Sequence, residues 1–277
     1  MKRPTTLLRD DATLSISDAG DGLAVVFQHG LGGSEAQVAQ YFPAGAGLRR
    51  ITLECRGHGG SALGRSRPFS FQMFADDVLA AADQAGLERF VAAGVSMGAG
   101  IALRIACRHP DRVAGLVLVR PAWTFGKAPA NMQPIAEVAG LILDHGPDKA
   151  RALFAQSDTA VRLYREAPDN LASLLGYFDR PDAMAFAQVL ADIAADGPGV
   201  SARDAEALDI PALVIGNAMD AVHPLSAAYT LAAATPNAVF ADISPKALDS
   251  ARHFAELHAE ITAFLHAHPN FRSLIPS

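Results

Sequence analysis

Ser96 lies at the centre of Gly94-Val95-Ser96-Met97-Gly98, a G-x-S-x-G pentapeptide. The apolar run Phe90-Val91-Ala92-Ala93 precedes it and a helix-like segment, Ala99 to Arg108, follows. A serine on so tight a strand-to-helix turn is held in strained backbone geometry with its hydroxyl projecting, and the flanking glycines leave room for that turn. A hydroxyl near its free pKa is a poor nucleophile. An imidazole must take its proton, and a carboxylate must hold that imidazole in the right tautomer.

For the acid, Asp220 lies four residues beyond Gly216, after the apolar run Ala212 to Ile215. That spacing brings its carboxylate out at the carboxyl edge of a sheet, where ligands bind in open α/β folds. Its structural alternative is to cap the turn around Ala221-Val222-His223-Pro224, and Asp249 and Asp144 are the rival acids. For the base, five histidines are available from that loop onward. His223 lies within the acid-bearing loop, His258 and His266 fall inside the last amphipathic helix pattern, and His268 is in the tail. His253 sits between the strand pattern ending near Ile243 and that helix. A developing oxyanion needs two preorganised donors. The amide of Met97, at a helix N-terminus where the dipole helps, is one candidate, and the amide of Leu31, after His29-Gly30, is the other.

Two residues are placed to report on substrate. Arg120 directly follows the apolar run Val113 to Val119, where a guanidinium can grip a substrate carboxylate or pair with an acid of the following segment. Trp123, the only tryptophan, either lines the pocket or packs at a hinge. His29 is read as a brace for its loop, and Arg56-Gly57-His58-Gly59 as a packing and turn motif.

The elements that must carry these groups alternate between strand and helix patterns. Thr13 to Ser17 alternates, Asp18 to Gly22 turns the chain, and Leu23 to Phe27 reads as a buried strand, together a hairpin feeding a sheet. Helix patterns cover 34–41, 71–86 and 97–109, and strand patterns cover 50–54, 90–94 and 113–119. From 121 to 207 strand signals vanish and helical segments follow one another, separated by Gly146-Pro147, Ala167-Pro168, Arg180-Pro181 and Gly197-Pro198-Gly199. Alternation resumes with a strand over 211–216, a helix over 226–234, a strand over 237–243 and a last helix over 254–266. Strands spaced by helices predict a mostly parallel sheet. The organisation expected is one core domain, 1–120 with 208–277, and one helical insertion, 121–207.

Composition narrows the partners. The 277 residues carry a net charge of −6 with acids and bases interspersed, so no basic face is available to track phosphates, and nucleic acid is not an expected partner. Charges at Arg9, Asp10 and Asp11 interrupt any signal-like apolar run near the start, and no long apolar stretch suggests a membrane span. A cytoplasmic protein, monomer or homodimer, is the expectation. Cys55 and Cys107 belong to no ligand cluster and read as reduced structural residues.

Taken in order, Gln28-His29-Gly30-Leu31-Gly32-Gly33-Ser34, Arg56-Gly57-His58-Gly59-Gly60-Ser61, the Ser96 pentapeptide and Gly216-Asn217-Ala218-Met219-Asp220 resemble the α/β-hydrolase superfamily over nearly the whole chain. The resemblance implies an eight-stranded, mostly parallel sheet flanked by helices, with the helical insertion after the sixth strand acting as a cap. It also implies the order nucleophile, acid, histidine, which selects His253 as the base, although Arg252 stands where the family usually has glycine. The expected site is therefore Ser96, Asp220 and His253, with the amides of Leu31 and Met97 as oxyanion donors and Arg120 and Trp123 against the substrate. Serine at the elbow sets aside the dehalogenases and epoxide hydrolases, which carry aspartate there. The expected activity is cleavage of a small-molecule carboxylic ester or lactone through an acyl-enzyme in an apolar pocket, with no metal or organic cofactor. Carbon-carbon bond or enol-lactone hydrolysis and perhydrolase or haloperoxidase-like chemistry stay open beside it, as does a non-catalytic ligand-binding scaffold.

Overall fold

The computed structural model describes residues 5–43, 45, 47–268, 271 and 274. Its elements in chain order are β1 (Thr5–Arg9), β2 (Ala12–Gly20), β3 (Leu23–Gln28), α1 (Glu35–Tyr41), β4 (Leu48–Leu53), α2 (Phe71–Gln84), β5 (Phe90–Val95), α3 (Met97–Arg108) and β6 (Val113–Val119). Then follow α4 (Gln133–His145), α5 (Pro147–Phe154), α6 (Asp158–Glu166), α7 (Pro168–Phe178), α8 (Ala183–Ala195) and α9 (Ala202–Glu206). The chain ends with β7 (Ala212–Gly216), α10 (Leu225–Ala234), β8 (Ala238–Asp242) and α11 (Ser250–Ala267).

The eight strands form one sheet in the order β1-β2-β4-β3-β5-β6-β7-β8. All neighbours from β4 to β8 are parallel, and β2 runs antiparallel to both β1 and β4. β3, β5, β6 and β7 are buried along their whole length, as strands covered on both faces must be. Side-chain alternation divides the apolar core between the faces. Val26 and Ala92 pack with Phe71, Phe74 and Val78 of α2 and with α3, while Val25, Phe27, Val91 and Ala93 pack with Val38 of α1 and Leu257 and Ile261 of α11.

Two sequence expectations are corrected here. β2 and β3 do not pair as a hairpin, because β4 lies between them. β2 matches Ile16 with Leu53, β3 matches Val26 with Ile51, and the actual hairpin is β1–β2, with Arg9 opposite Ala12. Gly20 and Gly22, at φ +82° and +117°, make the turn after β2, and a Cβ on Gly22 would lie 2.1 Å from the Gly47 carbonyl oxygen. The loop before β4 thus occupies the space a tight β2–β3 hairpin would need. The last helix also begins four residues earlier than its apolar pattern, because Asp249 caps it by accepting the Arg252 amide at 2.9 Å.

Candidate active site

Ser96 occupies the turn between β5 and α3 with φ +57° and ψ −114°, a left-handed conformation that a side-chain-bearing residue rarely adopts. Its amide donates to the Val119 carbonyl at 3.0 Å, which ties the turn to the end of β6. The glycines around it are required by contact. A Cβ on Gly98 would lie 2.2 Å from the Gln28 carbonyl oxygen, and one on Gly94 would lie 2.2 Å from the Gly98 carbonyl oxygen. Close approach of α3 to β3 and β5 thus sets the turn, and the turn directs the hydroxyl out of the sheet.

The imidazole that meets this hydroxyl belongs to His223. Its Nε2 is 2.8 Å from Ser96 Oγ and its Nδ1 is 2.8 Å from Asp220 Oδ1. Asp220 is an acceptor only, so Nδ1 carries the proton and Nε2 is free to accept from the serine. The same Oδ1 also accepts the His223 backbone amide at 3.0 Å and Asn170 Nδ2 at 2.9 Å. Oδ2 faces Arg120, which donates from Nε at 2.8 Å and from Nη2 at 2.5 Å. Burial alone would raise the Asp220 pKa, but the neighbouring His223 and Arg120 together hold the carboxyl well below the usual carboxylate range. The acid is therefore ionised at any pH near neutral.

His253 does not reach this cluster. It stands in the first turn of α11, fully buried, with its amide on the Asp249 carbonyl at 2.9 Å and its Nδ1 on the Ser244 carbonyl at 2.8 Å. The early start of α11 is the physical reason: His253 falls on a helix face turned toward the β8–α11 connection instead of on a free loop. Arg120 is likewise committed elsewhere than expected, since its third donor, Nη1, is 2.7 Å from Tyr41 Oη and its other contacts go to Asp220. Its ion-pair partner is Asp220 and not an acid of the 121–207 segment. Trp123 is not among the residues lining the cavity beside Ser96: it is 1% exposed, lies edge-on to Phe71 at 4.9 Å, and donates Nε1 to the Asp196 carbonyl at 3.0 Å.

Sequence reasoning passed over His223 and Asn170. The signal for His223 was its position three residues after Asp220 in one turn, a spacing that lets both its amide and its ring return to the carboxylate. Asn170 carried no local signal. It arrives from α7, where its Oδ1 accepts the amides of Ala221 (2.7 Å) and Val222 (3.1 Å) and so holds the turn that bears the acid and the imidazole.

Ser96, His223 and Arg120 line a cavity of about 150 Å³ together with Leu31, Gln37 and Gln40 on one side and Asp169, Asn170, Ser173, Leu174 and Tyr177 of α7 on the other. Lys246 closes one end, 3.6 Å from Asp169. The wall is half polar, in contrast to the apolar pocket expected from the insertion's composition. Leu31 sits on a loop fixed from both sides. Tyr177 donates its hydroxyl to the Leu31 carbonyl at 2.9 Å, and Gly30 donates its amide to Gln37 Oε1 at 2.7 Å. Met97, first residue of α3, is buried behind Ser96. His29 braces the base of this loop: the Cys55 amide donates to its Nε2 at 2.9 Å, so Nδ1 carries the proton and donates to the Gly30 carbonyl at 2.8 Å.

Comparison with known proteins agrees with the architecture. The family model described as alpha/beta hydrolase fold matches residues 24–255. The chain is 31% identical over 237 residues, 82% of its length and 84% of the relative's, to a protein of Caulobacter sp. (strain K31) that carries the provisional name carbamate hydrolase RutD. It is 28% identical over 246 residues, 82% of either chain, to 2-hydroxy-6-oxononadienedioate/2-hydroxy-6-oxononatrienedioate hydrolase 2 of Pseudomonas putida. Its fold superposes on the enol-lactonase from Burkholderia xenovorans LB400 with a TM-score of 0.72 at 23% identity, covering 95% of this chain and 100% of that one. The four ordered motifs, the sheet and the family match agree, and the chain belongs to the alpha/beta hydrolase fold family.

Proposed function

We propose that this protein is a serine hydrolase that cleaves a small carboxylic ester or lactone, with Ser96 as nucleophile, His223 as general base and acid, and Asp220 as the group that orients His223. The observation that carries this reading is the pair of 2.8 Å contacts that place one imidazole between the Ser96 hydroxyl and the Asp220 carboxylate. In the first step Ser96 Oγ bonds to the substrate carbonyl carbon as its proton passes to His223 Nε2. The amides of Leu31 and Met97 receive the developing oxyanion, and the N-terminus of α3 adds a favourable field. Collapse breaks the bond to the alkoxide leaving group, which takes the proton from Nε2. Water, deprotonated by the same nitrogen, then hydrolyses the acyl-enzyme. A lactone differs only in that its leaving alkoxide stays attached to the acyl group.

The helical insertion, 121–207, acts as the cap, since α7 supplies one wall of the cavity. A volume of about 150 Å³ lies well below the roughly 300–1,000 Å³ of pockets for drug-sized ligands, so short acyl groups are favoured. The test uses p-nitrophenyl acetate and a fluorophosphonate probe. Ser96→Ala and His223→Gln are expected to lose about 10⁴-fold or more in kcat, and Ser96→Ala to lose probe labelling. His253→Gln is expected to stay within about threefold of wild type. Full activity in His223→Gln, or its abolition in His253→Gln, overturns the assignment of the base.

A further inference from the structure

We propose that Arg120 is a positioning residue, which fixes the rotation of the Asp220 carboxylate and so the alignment of His223 with Ser96. The inference rests on the triad reading above and adds a fourth member behind the acid.

Its geometry begins in the backbone. Arg120 has φ +44°, an uncommon conformation for an arginine, and its amide is held by the Ile215 carbonyl at 2.7 Å. This turn at the end of β6 directs the side chain across to Asp220, at the edge of the cavity. The guanidinium is almost wholly buried. Nε and Nη2 both bind Oδ2, at 2.8 and 2.5 Å, and Nη1 is anchored on Tyr41 Oη at 2.7 Å. Oδ2 is thereby occupied, and Oδ1 is left to His223 and Asn170. Two guanidinium donors on Oδ2, opposite the donors on Oδ1, hold the carboxylate from both ends, with a fixed spacing that a lysine ammonium does not supply.

The charge balance follows from the same contacts. Asp220 with Arg120 is a neutral pair, so the imidazolium that forms on His223 during acyl transfer meets a carboxylate whose charge is already compensated. Nη2 also lies 3.4 Å from His223 Nδ1. The other charged or titratable groups facing this cluster are Tyr41 of α1, Asp169 of α7, Lys246 before α11, and His253 of α11. Lys246 and Asp169 are paired with each other at 3.6 Å. Arg120 is thus the cation that contacts the Asp220 carboxylate directly.

The experiment measures kcat and KM for p-nitrophenyl acetate, a neutral ester, across pH 5–9 in wild type, Arg120→Met, Arg120→Lys and Tyr41→Phe. In Arg120→Met, kcat is expected to fall about 10- to 100-fold with KM within about twofold. Arg120→Lys restores only part of kcat, since it returns the charge without the planar guanidinium. Tyr41→Phe, which keeps the guanidinium and frees one of its ends, lowers kcat a few-fold. The low-field proton resonance of the His223 Nδ1–H, identified by its loss in His223→Gln, weakens or shifts in Arg120→Met. A rise in KM with kcat unchanged overturns the proposal in favour of a substrate contact. A fall in kcat with the low-field resonance unchanged, and Arg120→Lys no better than Arg120→Met, overturns it in favour of a packing role. If Arg120→Met does not fold, Arg120→Lys and Tyr41→Phe carry the same two outcomes. Failure of the triad reading is distinguishable, because it appears as a His223→Gln variant with wild-type kcat.

Discussion

Asp220 and His223 are joined twice: Oδ1 of the aspartate accepts both the ring Nδ1–H, at 2.8 Å, and the backbone amide, at 3.0 Å, of the histidine three residues later. The spacing of carboxylate and imidazole is therefore set by the backbone of one turn after β7. Alignment with the serine then depends only on how that turn is held against the end of β5.

Asn170 does much of that holding. It is 4% exposed, donates to Asp220 and accepts the amides of Ala221 and Val222. Asn170→Ala leaves those buried donors without an acceptor, at a cost of about 2–3 kcal/mol. We expect a lowered urea midpoint and a kcat reduced about tenfold. Asn170→Asp, which sets a second carboxylate against Asp220, is expected to be worse in kcat than Asn170→Ala. Equal stability in wild type and Asn170→Ala would remove the residue from this role.

A second buried pair supports the Arg56-Gly57-His58-Gly59 segment. Arg56 and Asp77 are each 1% exposed, linked through Nε at 2.8 Å and Nη2 at 3.1 Å, with Arg9 adding a contact to Asp77 at 3.2 Å. Truncating the acid leaves a buried guanidinium with only Asp10 to offset it. Asp77→Ala is expected to destabilise by about 3–5 kcal/mol by chemical denaturation, while residual folded protein keeps a normal KM.

Much of this architecture was legible in the sequence, and the exceptions share a cause. β6 over Val113–Val119 and the Ser96 turn are specified locally, by a continuous apolar run and by glycines that nothing else can replace. The neighbour of β3 was not legible, because an apolar strand records that it is buried and not which strand lies beside it. The start of α11 was hidden as well. Its apolar pattern begins at Phe254, whereas the cap that decides its end is the polar Asp249. That difference of one helical turn moved His253 from a presumed loop into a packed face. Arg120 and Asn170 could be placed near the catalytic edge or in the insertion, but their partners lie 100 and 50 residues away in sequence.

Gly98 offers a direct test of how the nucleophile turn is made. An added methyl would lie 2.2 Å from the Gln28 carbonyl oxygen, and that oxygen belongs to backbone that cannot rotate away. Gly98→Ala is expected to destabilise by more than about 3 kcal/mol or to abolish folding, well beyond the usual point-mutation effect of about 1 kcal/mol. Gly140, whose Cβ would meet open space, is the control. Gly140→Ala in the middle of α4 is expected to stabilise by about 0.5–1 kcal/mol. Both are read from urea midpoints.

Acid sensitivity of the region before α11 follows from Glu256. A hydrogen bond from the Ser244 amide, at 2.7 Å, and one from Arg252, at 2.6 Å, lower its carboxyl from 4.5 to about 2. The folded value lies below the unfolded one, so its contribution to stability is complete above pH 4.5 and is lost as the pH falls through about 2. The difference in urea midpoint between wild type and Glu256→Gln is expected to be constant above pH 5 and to close progressively as the pH falls toward 2. A difference independent of pH across that range would sink the assignment.

Helix α7 holds two separate loops beside the cavity, Tyr177 on the Leu31 carbonyl and Asn170 on Asp220. A wholesale swing of this helix would therefore release the Leu31 loop and the Asp220 carboxylate in the same movement.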